Sequence, residues 1–183
     1  MSLGLPAGEE QALLTDNASL VGLLVRGLLP LVDWGNPDVL VLDLPPGTGE
    51  PLATLLQAVR FDGVVLVTTP QDVARLDAGR VLAVFRGAQV PVLGTVENMA
   101  YLVCPHCGER IEVFHRGRVP RPVSDGTVPR LAEIPLDPAL SVAADTGRPV
   151  LIADPHSVQA LAFVALAADV ARQLNLTVPS PRD

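Results

Sequence analysis

The chain has 183 residues, of which 49% are hydrophobic, enough to bury one sizeable core and too apolar for a disordered chain. A formal charge of −7 argues against a nucleic-acid or anionic-membrane partner, because such surfaces are bound by clustered basic residues. All thirteen basic residues are arginine, so this sequence holds no P-loop lysine, Schiff-base lysine or lysine general base.

Residues 1–16 read as an irregular lead-in or short strand. They carry no basic n-region and soon meet Glu9 and Glu10, unlike a secretory signal. With no run of about 18 uncharged apolar residues, the expectation is a soluble cytoplasmic protein without a membrane partner. Asn17 or Ser19 is placed to cap a helix running to about Leu31, and Asp33-Trp34-Gly35-Asn36-Pro37 breaks it. Residues 39–43, Val-Leu-Val-Leu-Asp, predict a strand buried on both faces. Its carboxyl end carries Asp43, where a carboxylate is suited to hold Mg²⁺ beside a phosphate. Pro45-Pro46-Gly47-Thr48-Gly49 then forms a stiff turn with amides free to face an anion. The plain alternative is a Pro-Gly turn with a solvated Asp43.

Residues 52–59 predict a helix with Pro51 in its first turn, and residues 64–68 a second buried strand. A long amphipathic helix follows over 71–86, with Val73, Leu76, Val81, Leu82 and Phe85 available for burial. Residues 90–96 predict a third strand, ending in Glu97-Asn98-Met99. Residues 131–136 predict a last strand, closed by Pro135, Asp137 and Pro138. Helices over 138–145 and 157–174 complete the chain, the second offering Leu161, Val164, Leu166 and Val170 for burial. Strand and helix alternating through short joints predict a three-layer α/β fold with a mostly parallel, doubly wound sheet. A single domain over residues 1–176 is expected, with an excursion from the sheet at 99–130 and a disordered tail at 177–183.

The excursion carries Cys104-Pro105-His106-Cys107-Gly108, the only two cysteines in the sequence. Two thiolates three residues apart can turn toward one metal, but tetrahedral coordination needs four ligands. A Cys₂His₂ zinc site using His106 and His115, a redox dithiol, and a site shared by two subunits across a two-fold axis all stay open. So do two unligated cysteines in a loop. A shared site would complete Cys₄ ligation of a [4Fe-4S] cluster or of Zn²⁺.

Val41-Leu42-Asp43-Leu44-Pro45-Pro46-Gly47-Thr48-Gly49, Val67-Thr68-Thr69-Pro70-Gln71-Asp72-Val73, Gly94-Thr95-Val96-Glu97-Asn98-Met99 and the Cys104–Gly108 motif occur in this order. Together they resemble the Mrp-type iron-sulfur carrier ATPases, deviant-Walker P-loop NTPases related to MinD and ParA. Ile134-Pro135-Leu136-Asp137-Pro138 and Gly147-Arg148-Pro149-Val150 extend the resemblance over roughly residues 33–174. It implies a homodimer whose paired Cys104 and Cys107 bridge a labile [4Fe-4S] cluster for apo iron-sulfur client proteins, with ATP and Mg²⁺ coupled to assembly or transfer. It also implies that Asp43 is the Walker B or switch-II aspartate near Mg²⁺, and Gly47 the switch glycine near the γ-phosphate. Asn98 would be the adenine-side asparagine, and Pro135 with Asp137 would flank the base.

The departures from the family are as informative. Its Gly-Lys-Gly-Gly-Val-Gly-Lys-Ser/Thr loop is missing from this sequence, so the chain resembles about the C-terminal half of the family, and a P-loop NTPase-like fold truncated at the N-terminus is expected. By itself it is expected not to hydrolyse ATP. Glu50 stands where an Asp is expected, and His115-Arg116-Gly117-Arg118 where the family is Gly-rich. A sheet without its P-loop strand is expected to expose apolar surface, covered by dimerisation or a partner. Three functions compete: an iron-sulfur carrier, an ATPase subunit whose P-loop comes from a P-loop-bearing partner or another segment, and a small zinc-stabilised interaction module.

Overall fold

In the computed structural model, which describes residues 27, 29, 31–44, 46–114 and 128–177, the chain divides into two units, Met1–Phe61 and Asp62–Asp183. In the first, positions 27, 29 and 31 are helical; the rest of the helix expected from Asn17 or Ser19, and the lead-in 1–16, lie outside the described residues. The helix stops as its breaker sequence requires. The Trp34 indole N–H donates to the Leu29 carbonyl at 2.9 Å, and the Asp33 carboxylate accepts the Gly35 N–H at 2.9 Å, closing an Asx turn.

Residues 39–43 correct the sequence reading. They form no strand, and Val39, Leu40 and Val41 are 45%, 46% and 84% exposed. A strand exists only as a member of a ladder, and an apolar run encodes a tendency to be buried without encoding the partner. Helix α1 (Glu50–Ala58) follows, with Pro51 in its first turn, where a missing N–H costs nothing. It buries Leu52 and Leu55.

The second unit is built on β1 (Val64–Thr68), β2 (Val92–Glu97) and β5 (Arg130–Glu133), in the order β1-β2-β5. Both pairings are parallel, so the carboxyl ends of all three strands lie on one edge, as an α/β fold requires. Helix α2 (Asp72–Gly87) joins β1 to β2 and packs on both. Its buried face is only partly the expected one, since Leu82 and Phe85 are buried as their spacing suggests. Arg75, Ala78, Leu82 and Phe85 are buried, whereas Val73 and Leu76 are 73% and 48% exposed. Both sets obey helical spacing, so periodicity alone left the facing stripe undecided.

Helices α3 (Pro138–Asp145), α4 (Val150–Ala153) and α5 (Val158–Gln173) follow the sheet, and α5 packs on β5. The two longer ones begin at strong caps: Asp137 accepts the Ala139 N–H, and Ser157 accepts the Ala160 N–H. The short α4 was not expected. In α5, Leu161 and Val164 stay exposed, contrary to the burial read from their spacing. The core gathers Leu66, Leu82, Phe85, Leu93, Val96, Ile134 and Ala160, each large member contributing about 1.5–3 kcal/mol by removal from water.

Close packing at the sheet centre depends on Gly94. A Cβ there would lie 2.4 Å from Leu131 Cγ and 2.7 Å from the Pro129 carbonyl oxygen. Within the excursion, β3 (Leu102–Val103) and β4 (Arg110–Ile111) make an antiparallel hairpin. Residues 115–127, including His115, and the tail beyond 177 lie outside the described residues.

Candidate functional site

The carboxyl edge of the second unit is laced by backbone hydrogen bonds that continue where the strands stop. The Asn98 N–H donates to the Thr68 carbonyl at 2.7 Å, and the Ile134 N–H to the Glu97 carbonyl at 2.9 Å. The Ala100 N–H donates to the Ile134 carbonyl at 2.9 Å, and the Leu136 N–H to the Tyr101 carbonyl at 2.7 Å. Leu102 and Leu136 add a parallel bridge. The path runs from the end of β1 across β2 and the Ile134–Asp137 segment to the base of the β3–β4 hairpin, so Asn98, Pro135 and Asp137 share one edge, to which the hairpin carrying the two cysteines is joined at its base.

At the tip of that hairpin the chain reverses through residues 104–109. The Cys104 N–H donates to the Glu109 carbonyl at 2.8 Å, and the Gly108 N–H to the Cys104 carbonyl at 2.9 Å. Gly108 sits at φ +75°, a conformation in which a Cβ would be strained. Both cysteines are free, Cys104 half-buried and Cys107 exposed. Hydrogen bonding from the backbone N–H groups of Cys107 and His106, and from the Cys107 thiol, lowers the Cys104 pKa from the ordinary 9.0. A thiolate held by amides, beside a second reachable thiol, is the donor chemistry that iron or zinc takes. Among the described residues, no three His, Cys, Asp or Glu side chains converge on one point. His106 thus does not join the two thiols, and the pair offers half of a tetrahedral site.

The hairpin is tied to the sheet by Arg110. Its guanidinium donates to Glu133 at the end of β5 at 2.7 Å and lies 3.7 Å over the Tyr101 ring centroid. The hydrogen bond to Glu133 raises the Arg110 pKa above its ordinary value. Arg130 donates to the same carboxylate at 2.6 Å.

On the other side of β2, Arg75 of α2 and Glu97 form an ion pair at 3.3 Å, with side chains 5% and 7% exposed. It lies directly before Asn98, whose carboxamide oxygen accepts the Met99 N–H at 2.9 Å. That bond leaves the Asn98 NH₂ as the outward-usable donor. Pro135 is fully buried. Asp137 caps α3 at 2.8 Å and accepts the Gln159 carboxamide at 2.6 Å, so both its oxygens shape the loop. Asp43 and Gly47 belong to the first unit. Both are exposed there, Gly47 at φ +92°.

Sequence reasoning missed Arg75, Tyr101, Arg110 and Glu133. The Arg75–Glu97 and Arg110–Glu133 pairs are 22 and 23 residues apart, and no local pattern links them. An arginine at helical spacing with Ala78, Leu82 and Phe85 is the one signal available beforehand.

The family described as "ParA: NUBPL iron-transfer P-loop NTPase" matches residues 1–171, beginning upstream of the span the motifs had covered. A protein called "Iron-sulfur cluster carrier protein" from Pyrococcus horikoshii is 36% identical over 96% of this chain and 59% of its own length. A protein of the same description from Deinococcus radiodurans is 48% identical over 78% of this chain and 40% of its own. Among solved structures, a nucleotide-binding protein from Archaeoglobus fulgidus in complex with ADP, with Co, superposes with a TM-score of 0.62 at 34% identity. The alignment covers 77% of this chain and 58% of that one. The chain thus spans roughly half the length of the relatives it matches.

Proposed function

The chain belongs to the ParA/NUBPL family of iron-transfer P-loop NTPases, and from that premise we propose that it carries an iron-sulfur cluster as cargo for apo iron-sulfur client proteins. The observation behind this is the hairpin tip: two free, solvent-reachable thiols, one held toward thiolate by two amides, with no third ligand converging on them among the described residues. Two such loops facing each other across a two-fold axis supply the four thiolates that a [4Fe-4S] cluster takes. In this reading Cys104 and Cys107 of each copy bind the cargo. Exposure of the tip lets a client's thiols displace them, and a reducing compartment such as the cytoplasm keeps them unpaired.

We assign nucleotide-binding roles to the remaining residues, each within its own unit. Asp43 is the carboxylate for Mg²⁺, and Gly47 the backbone approach to the γ-phosphate. Asn98 presents its NH₂ to an acceptor nitrogen of the base. Pro135 and Asp137 hold the adjoining loop in shape rather than touching the nucleotide. Since the sequence contains no lysine, ATP turnover requires a phosphate-binding lysine from another segment or chain.

The test is anaerobic purification followed by iron, sulfide and zinc analysis and molar mass in solution, for wild type and Cys104→Ser/Cys107→Ser. About four iron and four sulfide per dimer, lost with the visible absorbance in the variant, is the expected result. Stoichiometric zinc without sulfide, or a metal-free monomer, overturns the carrier reading.

A further inference from the structure

We propose that Arg110 is a positioning residue that sets the angle of the cysteine hairpin against the sheet, an inference that rests on reading Cys104 and Cys107 as the cargo ligands. The hairpin has only two residues in each strand, far below what holds a hairpin in place unaided. Its β3 side is fixed by backbone: Leu136 bonds to Tyr101 and bridges Leu102. The β4 side reaches the sheet through a side chain. Arg110 stands opposite Val103 in the ladder, one residue from Cys104.

The guanidinium is gripped twice, by the Tyr101 face at 3.7 Å and by Glu133 at 2.7 Å. Glu133 is the fixed end of this clamp. Its side chain is 17% exposed, sits at the end of β5 and also receives Arg130 at 2.6 Å. Swinging the hairpin about its β3 base breaks both Arg110 contacts at once. The clamp therefore selects one orientation for the thiol pair, which matters because a cluster shared between two chains requires both pairs to arrive at a set angle and separation. Lysine keeps the charge and loses both the planar stack and the fork.

The experiment compares wild type, Arg110→Met, Arg110→Lys, Glu133→Gln and the Arg110→Met/Glu133→Gln double variant. In the metal-free protein, amide hydrogen exchange at Leu136, which reports attachment of the hairpin, is expected to quicken in Arg110→Met while the melting temperature stays within about 3 °C. In reconstituted protein, cluster release to an iron chelator is expected to be about tenfold faster, the low end for loss of an outer-shell partner, with an altered visible circular-dichroism spectrum. Arg110→Lys is expected to be intermediate, and the double variant no worse than Arg110→Met, since the two residues act through one contact. If Arg110→Met lowers the melting temperature by more than that, Arg110→Lys carries the comparison. Wild-type exchange at Leu136 together with wild-type release in both arginine variants overturns the proposal. Failure of the wild type to take up a cluster overturns the carrier reading instead, and leaves the Leu136 exchange to decide the clamp.

Discussion

Replacing Arg75 with Met tests whether the end of β2 is held by its buried ion pair. At 3.3 Å and an effective dielectric of about 20, the attraction between the two charges is about 5 kcal/mol. With both side chains more than nine-tenths buried, removing the arginine takes the counter-charge from a buried carboxylate, and the expected cost is about 3–5 kcal/mol. For a chain of this length that lowers the melting temperature by about 6–20 °C. Methionine approximates the stem of arginine in length, so the loss is one of charge more than of packing. Replacing both residues, as Arg75→Met/Glu97→Leu, is expected to recover most of the loss or exceed wild type, because two desolvated charges are then removed together. Guanidinium denaturation followed by circular dichroism reads both variants. An Arg75→Met cost below about 1 kcal/mol, or a double variant as unstable as the single one, refutes the reasoning. Because Glu97 precedes Asn98 and its carbonyl receives the Ile134 N–H, loosening this pair is also expected to speed amide exchange at Ile134.

Gly94→Ala is expected to destabilise the chain by about 1–3 kcal/mol, since the new methyl meets the Pro129 carbonyl oxygen at 2.7 Å as well as Leu131; urea unfolding measures it, and an unchanged midpoint refutes the close-approach argument. Cys104 is expected to be alkylated by iodoacetamide with a pH–rate midpoint below 9.0, its ordinary value, whereas a midpoint at or above that value means the two amides do not face the sulfur. The sign for stability follows from the same shift. The folded loop favours the thiolate, so its contribution is present above pH 9.0 and fades as the pH falls through the lowered pKa.

Features encoded within a few residues were legible from the sequence. The thiols lie three positions apart, and any reversal of the chain there brings them to one tip. Asp137 before Pro138 is a cap followed by a first-turn proline, and the helix 138–145 begins and ends as that pattern predicts. The run at 64–68 is a strand with the bounds its composition suggests. The four motifs identified the family, because each is a short string with its own chemistry, and the family match over residues 1–171 includes them all.

The tertiary structure alone decided which partners these pieces found. Residues 39–43 are as apolar as β1, yet remain outside any ladder, since pairing is a property of two segments. In α2 the stripe containing Arg75 won burial over the one containing Val73 and Leu76. A salt bridge to Glu97, 22 residues away, made that face the acceptable one to bury. The hairpin bearing Cys104 and Cys107 is local in origin, but its orientation comes from Glu133, 23 residues beyond Arg110. Local spacing sets what chemistry a segment carries, whereas where it points depends on contacts between residues far apart in the chain, whose register no short-range pattern encodes.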